Sequence, residues 1–155
     1  MERKTIVHAE DGKQEIRITR EFDLPLPLLF KAYAEPALVE QWMGTKVLKL
    51  ENKKHGGYEF ETSDANGSVV FRAHGAIHEF EPNARITRTF QMMNAPFDVQ
   101  LEFLEFEPIG NERSRLTIHI IFRSVELRNQ QLKLPFAHGI NMAHDRLQHI
   151  VNKLK

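Results

Sequence analysis

The sequence predicts an α+β fold: a curved antiparallel sheet wrapped around one long C-terminal helix, with two short helices after the first strand. Three observations carry that reading. From Lys46 to Arg123 apolar residues recur chiefly at every second position, the period of strands buried on one face. From Leu132 to Leu154 they recur at three- and four-residue steps, the period of a helix. Turn clusters such as Asp64-Ala65-Asn66-Gly67 separate the alternating runs, as hairpins require. A sheet with one apolar face needs a cover, and the terminal helix is the only element long enough to supply it.

The segment Met1 to Lys13 reads as a loose start that pairs partly through Thr5-Ile6-Val7. The first firm strand is Glu15 to Phe22, with Ile16, Ile18 and Arg20 on one face and Arg17 and Thr19 on the other. Asp23 is the expected N-cap of the next element, with Pro25 in its first turn. That helix carries Leu28, Leu29, Ala32 and Tyr33 at helical spacing. A second short helix runs from Pro36 to near Trp42, and Gly44 stops it.

Strand patterning begins with Val47, Leu48 and Leu50, and His55-Gly56-Gly57 turns into Tyr58 to Thr62. In the long strand Val69 to Phe80, Phe71, Ala73, Gly75 and Ile77 face one way, and Arg72, His74 and His78 the other. Glu81-Pro82-Asn83-Ala84 turns into Arg85 to Met92, which joins Phe97 to Phe106 through Asn94-Ala95-Pro96. There Phe97, Val99, Leu101 and Phe103 alternate with Asp98, Gln100 and Glu102. The phase then slips to Leu104 and Phe106, so a bulge is expected near Leu104. Gly110-Asn111 leads into Arg113 to Arg123, where Leu116, Ile118, Ile120 and Phe122 share a face. Pro135 falls inside the terminal pattern of Leu132, Phe136, Ile140, Ala143, Leu147, Ile150 and Leu154, so it kinks the helix or divides it.

At 155 residues the chain suits one domain, Met1 to Lys155. Lysine plus arginine equals aspartate plus glutamate, 21 each, without the basic surplus of a nucleic-acid binder. The absence of cysteine removes disulfides, thiolate metal sites and a cysteine nucleophile. No apolar run reaches the roughly 20 residues of a membrane span, and Met1 to Glu15 has no signal-peptide core, so the expected location is cytoplasmic.

The eleven phenylalanines have two readings. They fill a core, or they line a cavity that one helix cannot fill under a curved sheet. Trp42, the only tryptophan, either packs a helix junction or forms a stacking wall. Arg88 is the sharpest puzzle, because it shares its face with Ile86, Phe90 and Met92. A charge buried there needs a partner. It lies at a strand end, or pairs with a carboxylate and anchors a ligand, or the face assignment is off. His74 and His78 are roughly 13 Å apart by strand rise, too far to share an ion, so no metal site is expected. His119 and His138 are either pocket groups or ordinary histidines. No nucleophile elbow or phosphate-cradling glycine loop occurs.

Local motifs point to a family. Ile18-Thr19-Arg20-Glu21-Phe22-Asp23-Leu24-Pro25 runs into Leu29-Phe30-Lys31-Ala32-Tyr33, then Glu35-Pro36 and Gln41-Trp42-Met43-Gly44. Gly56-Gly57-Tyr58-Glu59-Phe60 and Gly75-Ala76-Ile77-His78-Glu79-Phe80-Glu81-Pro82 follow. Arg85-Ile86, Thr89-Phe90, Gly139-Ile140 and Leu147 complete the order. Over Glu15 to Leu154 the chain resembles the activator of heat-shock-protein-ninety ATPase homologue family of the START-like, helix-grip superfamily. It departs from many relatives at Met43 and Ile140, where tryptophan is common, and at Thr45, where proline is.

The resemblance implies a deep pocket between the sheet and the terminal helix. It also implies a ligand that is lipid-like or a polycyclic aromatic, held by a carrier, sensor or stress-related protein. The expected sheet lining is Phe60, Phe71, Ile77, Phe90, Phe97, Leu101 and Phe103. The expected helix lining is Phe136, Ile140, Ala143 and Leu147, with Gly139 permitting close approach. Trp42, Arg88 and His119 supply the polar groups. No cofactor is expected, and the chain is a monomer or homodimer. Two alternatives stand beside this reading. A co-chaperone-like interaction module would use a surface over a filled interior. A cyclase-like or hydrolytic enzyme would need Arg88 and His119 to converge inside.

Overall fold

The computed structural model describes residues 3–93 and 95–155. The elements run β1 (Ile6–His8), β2 (Glu15–Phe22), α1 (Leu26–Ala34), α2 (Pro36–Met43), β3 (Lys46–Leu50) and β4 (Gly57–Ser63). They continue with β5 (Val69–Glu81), β6 (Arg85–Met92), β7 (Gln100–Gly110), β8 (Arg113–Ile121), α3 (Val125–Lys133) and α4 (Phe136–Asn152). The strands form one antiparallel sheet in the order β1-β2-β8-β7-β6-β5-β4-β3. Successive hairpins build β3 to β8, and β2 then pairs with β8 from Glu15↔Ile121 to Phe22↔Ser114. The two short helices therefore carry the chain from one side of the sheet to the other.

The inner face buries Ile16 and Ile18 of β2 with Leu116, Ile118 and Ile120 of β8 and Leu104 and Phe106 of β7. Phe30, Tyr33, Trp42, Leu147 and Val151 close over them from the helices. A second, smaller cluster joins Val39 to Tyr58, Phe60 and Ile77. As expected, α2 starts at Pro36 and stops at Gly44, whose φ of 65° is the left-handed conformation glycine adopts without strain. Pro135 divides the terminal helical pattern, leaving α3 and α4 as separate helices.

Several local expectations give way. Asp23 does not cap α1, whose N-cap is Pro25 with no side-chain bond. The chain is instead stretched across the sheet end, because Leu24 is fully buried and its carbonyl accepts from Ser114 Oγ at 2.7 Å. Asp23 N–H donates to Gln148 Oε1 of α4 at 2.8 Å. No bulge occurs near Leu104; the β7–β8 register shifts only between Pro108 and Gly110. The inward phase set by Leu104 and Phe106 thus continues back to Glu102 and Gln100, and Leu101 and Phe103 turn outward. Gly139 is not a point of close approach, since a Cβ there would meet nothing within 4 Å. It faces solvent, and Val151 takes the buried place that the helical pattern gave to Leu154. In the expected turn Asn94-Ala95-Pro96, Asn94 lies outside the described residues.

A polar clip fixes α4 to the sheet. Arg20 is only 3% exposed, and its Nη2 reaches Asp145 Oδ1 at 2.9 Å while Nη1 donates to Thr5 Oγ1 and Asn141 Oδ1. Thr5 also bonds through its hydroxyl to His144 Nδ1 at 2.7 Å and through its N–H to Asn141. The His144 ring packs edge-on to Phe22. Burial, and then the Arg20 cation, hold its pKa at about 3.

This makes stability acid-sensitive in a stated window. Above pH 6.5 the ring is neutral in folded and unfolded chains alike. Below it, the unfolded chain binds a proton that the folded chain refuses until about pH 3, so acid favours unfolding. Between pH 6.5 and 5, stability from urea melts falls by up to about 1.4 kcal/mol per pH unit. His144→Leu flattens that slope. An unchanged slope in the variant would assign the acid sensitivity to other groups.

Candidate functional site

Between the inner sheet face and α4 the core opens into a cavity of about 220 Å³. Its floor is Ile18 of β2 with Ile118 and Ile120 of β8. Its roof is Phe136, Ile140 and Ala143 of α4, which the helical period places on one face. Tyr33, Trp42 and Met43 close one end, and Phe90 lines the side toward β6. Four polar side chains interrupt these apolar walls: Arg88, Gln100, Glu102 and Gln131.

Arg88 and Glu102 stand directly opposite each other in the β6–β7 register. Arg88 Nε donates to Glu102 Oε1 at 3.1 Å, and Gln100 Nε2 donates to Glu102 Oε2 at 2.8 Å. The side chains of the pair are 14% and 10% exposed. The guanidinium carbon lies 5.1 Å from the Tyr58 ring centroid, a cation–π contact. Tyr58 reaches this place because its cross-strand neighbour is Gly75: a Cβ at Gly75 would stand 2.6 Å from the Tyr58 ring and 2.0 Å from the Thr89 carbonyl oxygen. The Tyr58 hydroxyl donates to that same carbonyl.

Burial opposes the Arg88 cation, but the charge and hydrogen bond of Glu102 hold it protonated. Burial pushes the phenols of Tyr33 and Tyr58 well above their usual range, so both stay neutral. The remaining Arg88 nitrogens have no hydrogen-bond acceptor among the described residues. Gln131 Oε1 is buried and also takes no bond among them.

The structure brings Trp42, Arg88, Phe90, Phe136, Ile140 and Ala143 together around the cavity. The Trp42 N–H is spent on the Ala32 carbonyl at 2.8 Å, so its ring serves as a wall and a helix junction. Phe60, Ile77 and Leu147 face inward but are packed core. Phe71 and Phe97 are half-buried and belong to neither core cluster. Leu101, Phe103 and His119 are on the opposite face of the sheet, a correction that follows for the first two from the unbroken β7 register and for His119 from the alternation of β8, where Leu116, Ile118 and Ile120 turn inward. There Leu101 shares a groove with Val99 and Ile121, and Phe103 packs on His119 with centroids 6.1 Å apart. His119 Nε2 meets Glu15 Oε2 at 2.7 Å, so it cannot act with Arg88 in one cavity.

Ile18, Tyr33, Met43, Gln100, Glu102, Ile118, Ile120 and Gln131 are the lining residues that sequence reasoning did not name. The signal for Glu102 was Arg88 itself, a cation on an apolar face that demands a carboxylate. Met43 and Ile140 both line the cavity. Among the described residues no group of three or more metal-type ligands occurs, and no helix is long and apolar enough to cross a membrane.

Comparison with known proteins bears on the same region. The family model described as "Activator of Hsp90 ATPase homolog 1-like protein" matches residues 23–152. A solved structure from Rhodobacter sphaeroides aligns with a TM-score of 0.85 at 17% identity, over 98% of this chain and 100% of that one. One from Arthrobacter aurescens gives 0.84 at 18% identity, over 96% and 91%. One from Mycobacterium smegmatis gives 0.82 at 17% identity, over 94% of each chain. At these identities the likeness concerns the fold. No curated protein matches.

The charge pair makes a sharp energetic prediction. Glu102→Leu alone strands the Arg88 cation and lowers stability by about 3–5 kcal/mol. Adding Arg88→Met removes the stranded charge and restores most of that loss. Urea unfolding of the two single variants and the double variant checks it; strict additivity would show that the two groups are not coupled.

Proposed function

The chain belongs to the Activator of Hsp90 ATPase homolog 1-like family, and from that premise we propose that it binds an apolar small molecule between its sheet and α4, as a carrier or sensor. The observation that carries the reading is the cavity itself. Protein interiors are close-packed, with few voids larger than a water. An opening of about 220 Å³ with mostly apolar walls leaves hydrocarbon in contact with water. A molecule that fills the space recovers dispersion contacts with the isoleucines of the floor and the α4 roof, and removes its own apolar surface from water. Apolar walls with a few placed polar groups are the usual make-up of a small-molecule site.

The groups that would handle the ligand divide by role. Ile18, Ile118, Ile120, Phe136, Ile140 and Ala143 give shape and apolar contact. Phe90, Tyr33 and Trp42 offer ring faces and edges to a flat molecule. Arg88, Glu102, Gln100 and Gln131 orient it.

Ala143→Phe tests this directly, because the added ring enters the cavity from the roof. The expected outcome is a wild-type far-ultraviolet spectrum, a cooperative melt and at least tenfold weaker binding of naphthalene by titration. Unchanged naphthalene binding would place the site elsewhere.

A further inference from the structure

We propose that the outer face of the sheet is the contact surface of a homodimer, in which Arg17 of each copy meets the partner's Glu105 around a centre built on Phe103. Alternation turns the side chains that β2, β7 and β8 do not bury onto this face, away from α4 and the cavity beneath it. The registers Arg17↔His119↔Phe103 and Thr19↔Thr117↔Glu105 set Arg17, Phe103, Glu105, Thr117 and His119 around one outer groove. Val99, Leu101 and Ile121 extend the apolar surface into the neighbouring groove.

Many ionic side chains on this face are matched within the chain. Arg115 bridges Glu21 and Glu107, and Arg113 reaches Glu21. Arg85 takes Glu79 and Glu81, and His119 takes Glu15. Arg17 and Glu105 are not matched. Both are exposed, and neither has a hydrogen bond or ion pair among the described residues. They stand on the two strands that flank β8, about 12 Å apart by strand spacing and rise. The groove therefore ends in a free cation on one side and a free anion on the other.

That arrangement selects the partner. A molecule of one charge sign would satisfy one end and be repelled by the other. A second copy satisfies both. A half-turn about an axis lying in the face, perpendicular to the line from Arg17 to Glu105, exchanges the two ends. Each Arg17 then lies over the partner's Glu105, so the contact forms twice in the dimer. By the same spacings Phe103 lies close to that axis, and the two Phe103 rings meet. A central aromatic surrounded by polar groups is the usual anatomy of an interface. Because the sheet curves around α4, its outer face is convex and the contact covers only a few strands. The dimer is accordingly weak and concentration-dependent.

Sedimentation equilibrium of the full chain tests this, with Arg17→Glu, Glu105→Arg and an equimolar mixture of those two variants. Both positions are exposed and unpaired, so each variant keeps the wild-type far-ultraviolet spectrum and melt. The wild type is expected to move from the mass of one chain toward twice that mass as concentration rises. Each single variant sets like charges against each other at both contacts and dimerises roughly tenfold more weakly or worse. The mixture recovers wild-type association, because the two introduced charges attract each other and the native Arg17–Glu105 contact forms on the other side. A wild type that stays a single chain at every concentration overturns the proposal, as does a dimer that either single variant leaves intact. A mixture that fails to associate overturns it too, since reciprocal pairing of these two residues requires that rescue. None of these results bears on the cavity, which lies on the other face of the sheet.

Discussion

One charge pair on an otherwise apolar sheet face, Arg88 with Glu102, organises the middle of this molecule. Glu102 lies directly across from Arg88 in the β6–β7 register, so the inward phase of β7 carries two polar residues at its start without leaving a bare charge. Tyr58 supports the guanidinium from the next strands, and Gly75 gives the Tyr58 ring its room. The two buried clusters lie on either side of this polar island. A pair of charges with unspent hydrogen-bonding atoms cannot be covered by hydrocarbon without cost, which gives a physical reason for open space here and not elsewhere in the core.

The roof of that space is held by a different device. Arg20, also on the inner face, reaches out to Asp145 and Asn141 of α4, while Thr5 ties β1 to the same helix. Arg146 Nε donates to the Trp42 carbonyl at 3.0 Å, fixing α4 against the end of α2. Ion pairing on the sheet thus does two jobs: the Arg20 group seats the helix, and the Arg88 group furnishes the cavity beneath it. Both depend on arginine, whose fork of donors can satisfy several acceptors from one buried position.

The general architecture was legible because it rests on periodicity and on turn chemistry. The bounds of β2 and β6, the stop at Gly44 and the break at Pro135 all follow from local signals that tertiary packing leaves intact. What was not legible was register across β6 and β7. The alternation of Phe97, Val99, Leu101 and Phe103 is as regular as a buried face, and an apolar residue on an outer sheet face looks the same in sequence as one inside. Only the pairing of Leu104 with Ile118 and of Phe106 with Leu116 fixes which set turns inward. Of the fourteen expected cavity residues, Leu101 and Phe103 lie on the outer face for this reason, and His119 pairs with Phe103 there. The burial of Arg88 was visible as a puzzle, and its resolution by a carboxylate was one of the stated options. Gln131 had no signal, since its place depends on how α3 meets α4 after Pro135. His144 was hidden by its type, because a histidine becomes core only where a hydroxyl such as that of Thr5 meets its ring nitrogen.

The most direct test is a crystal structure of the chain grown with 2-bromonaphthalene, with bromine located by its anomalous signal. The account predicts a single bromine site beneath α4, among Phe136, Ile140 and Ala143. Bromine in the outer groove beside Leu101 and Ile121, or a collapsed interior with Phe136 and Ile140 packed onto Ile118, would contradict it.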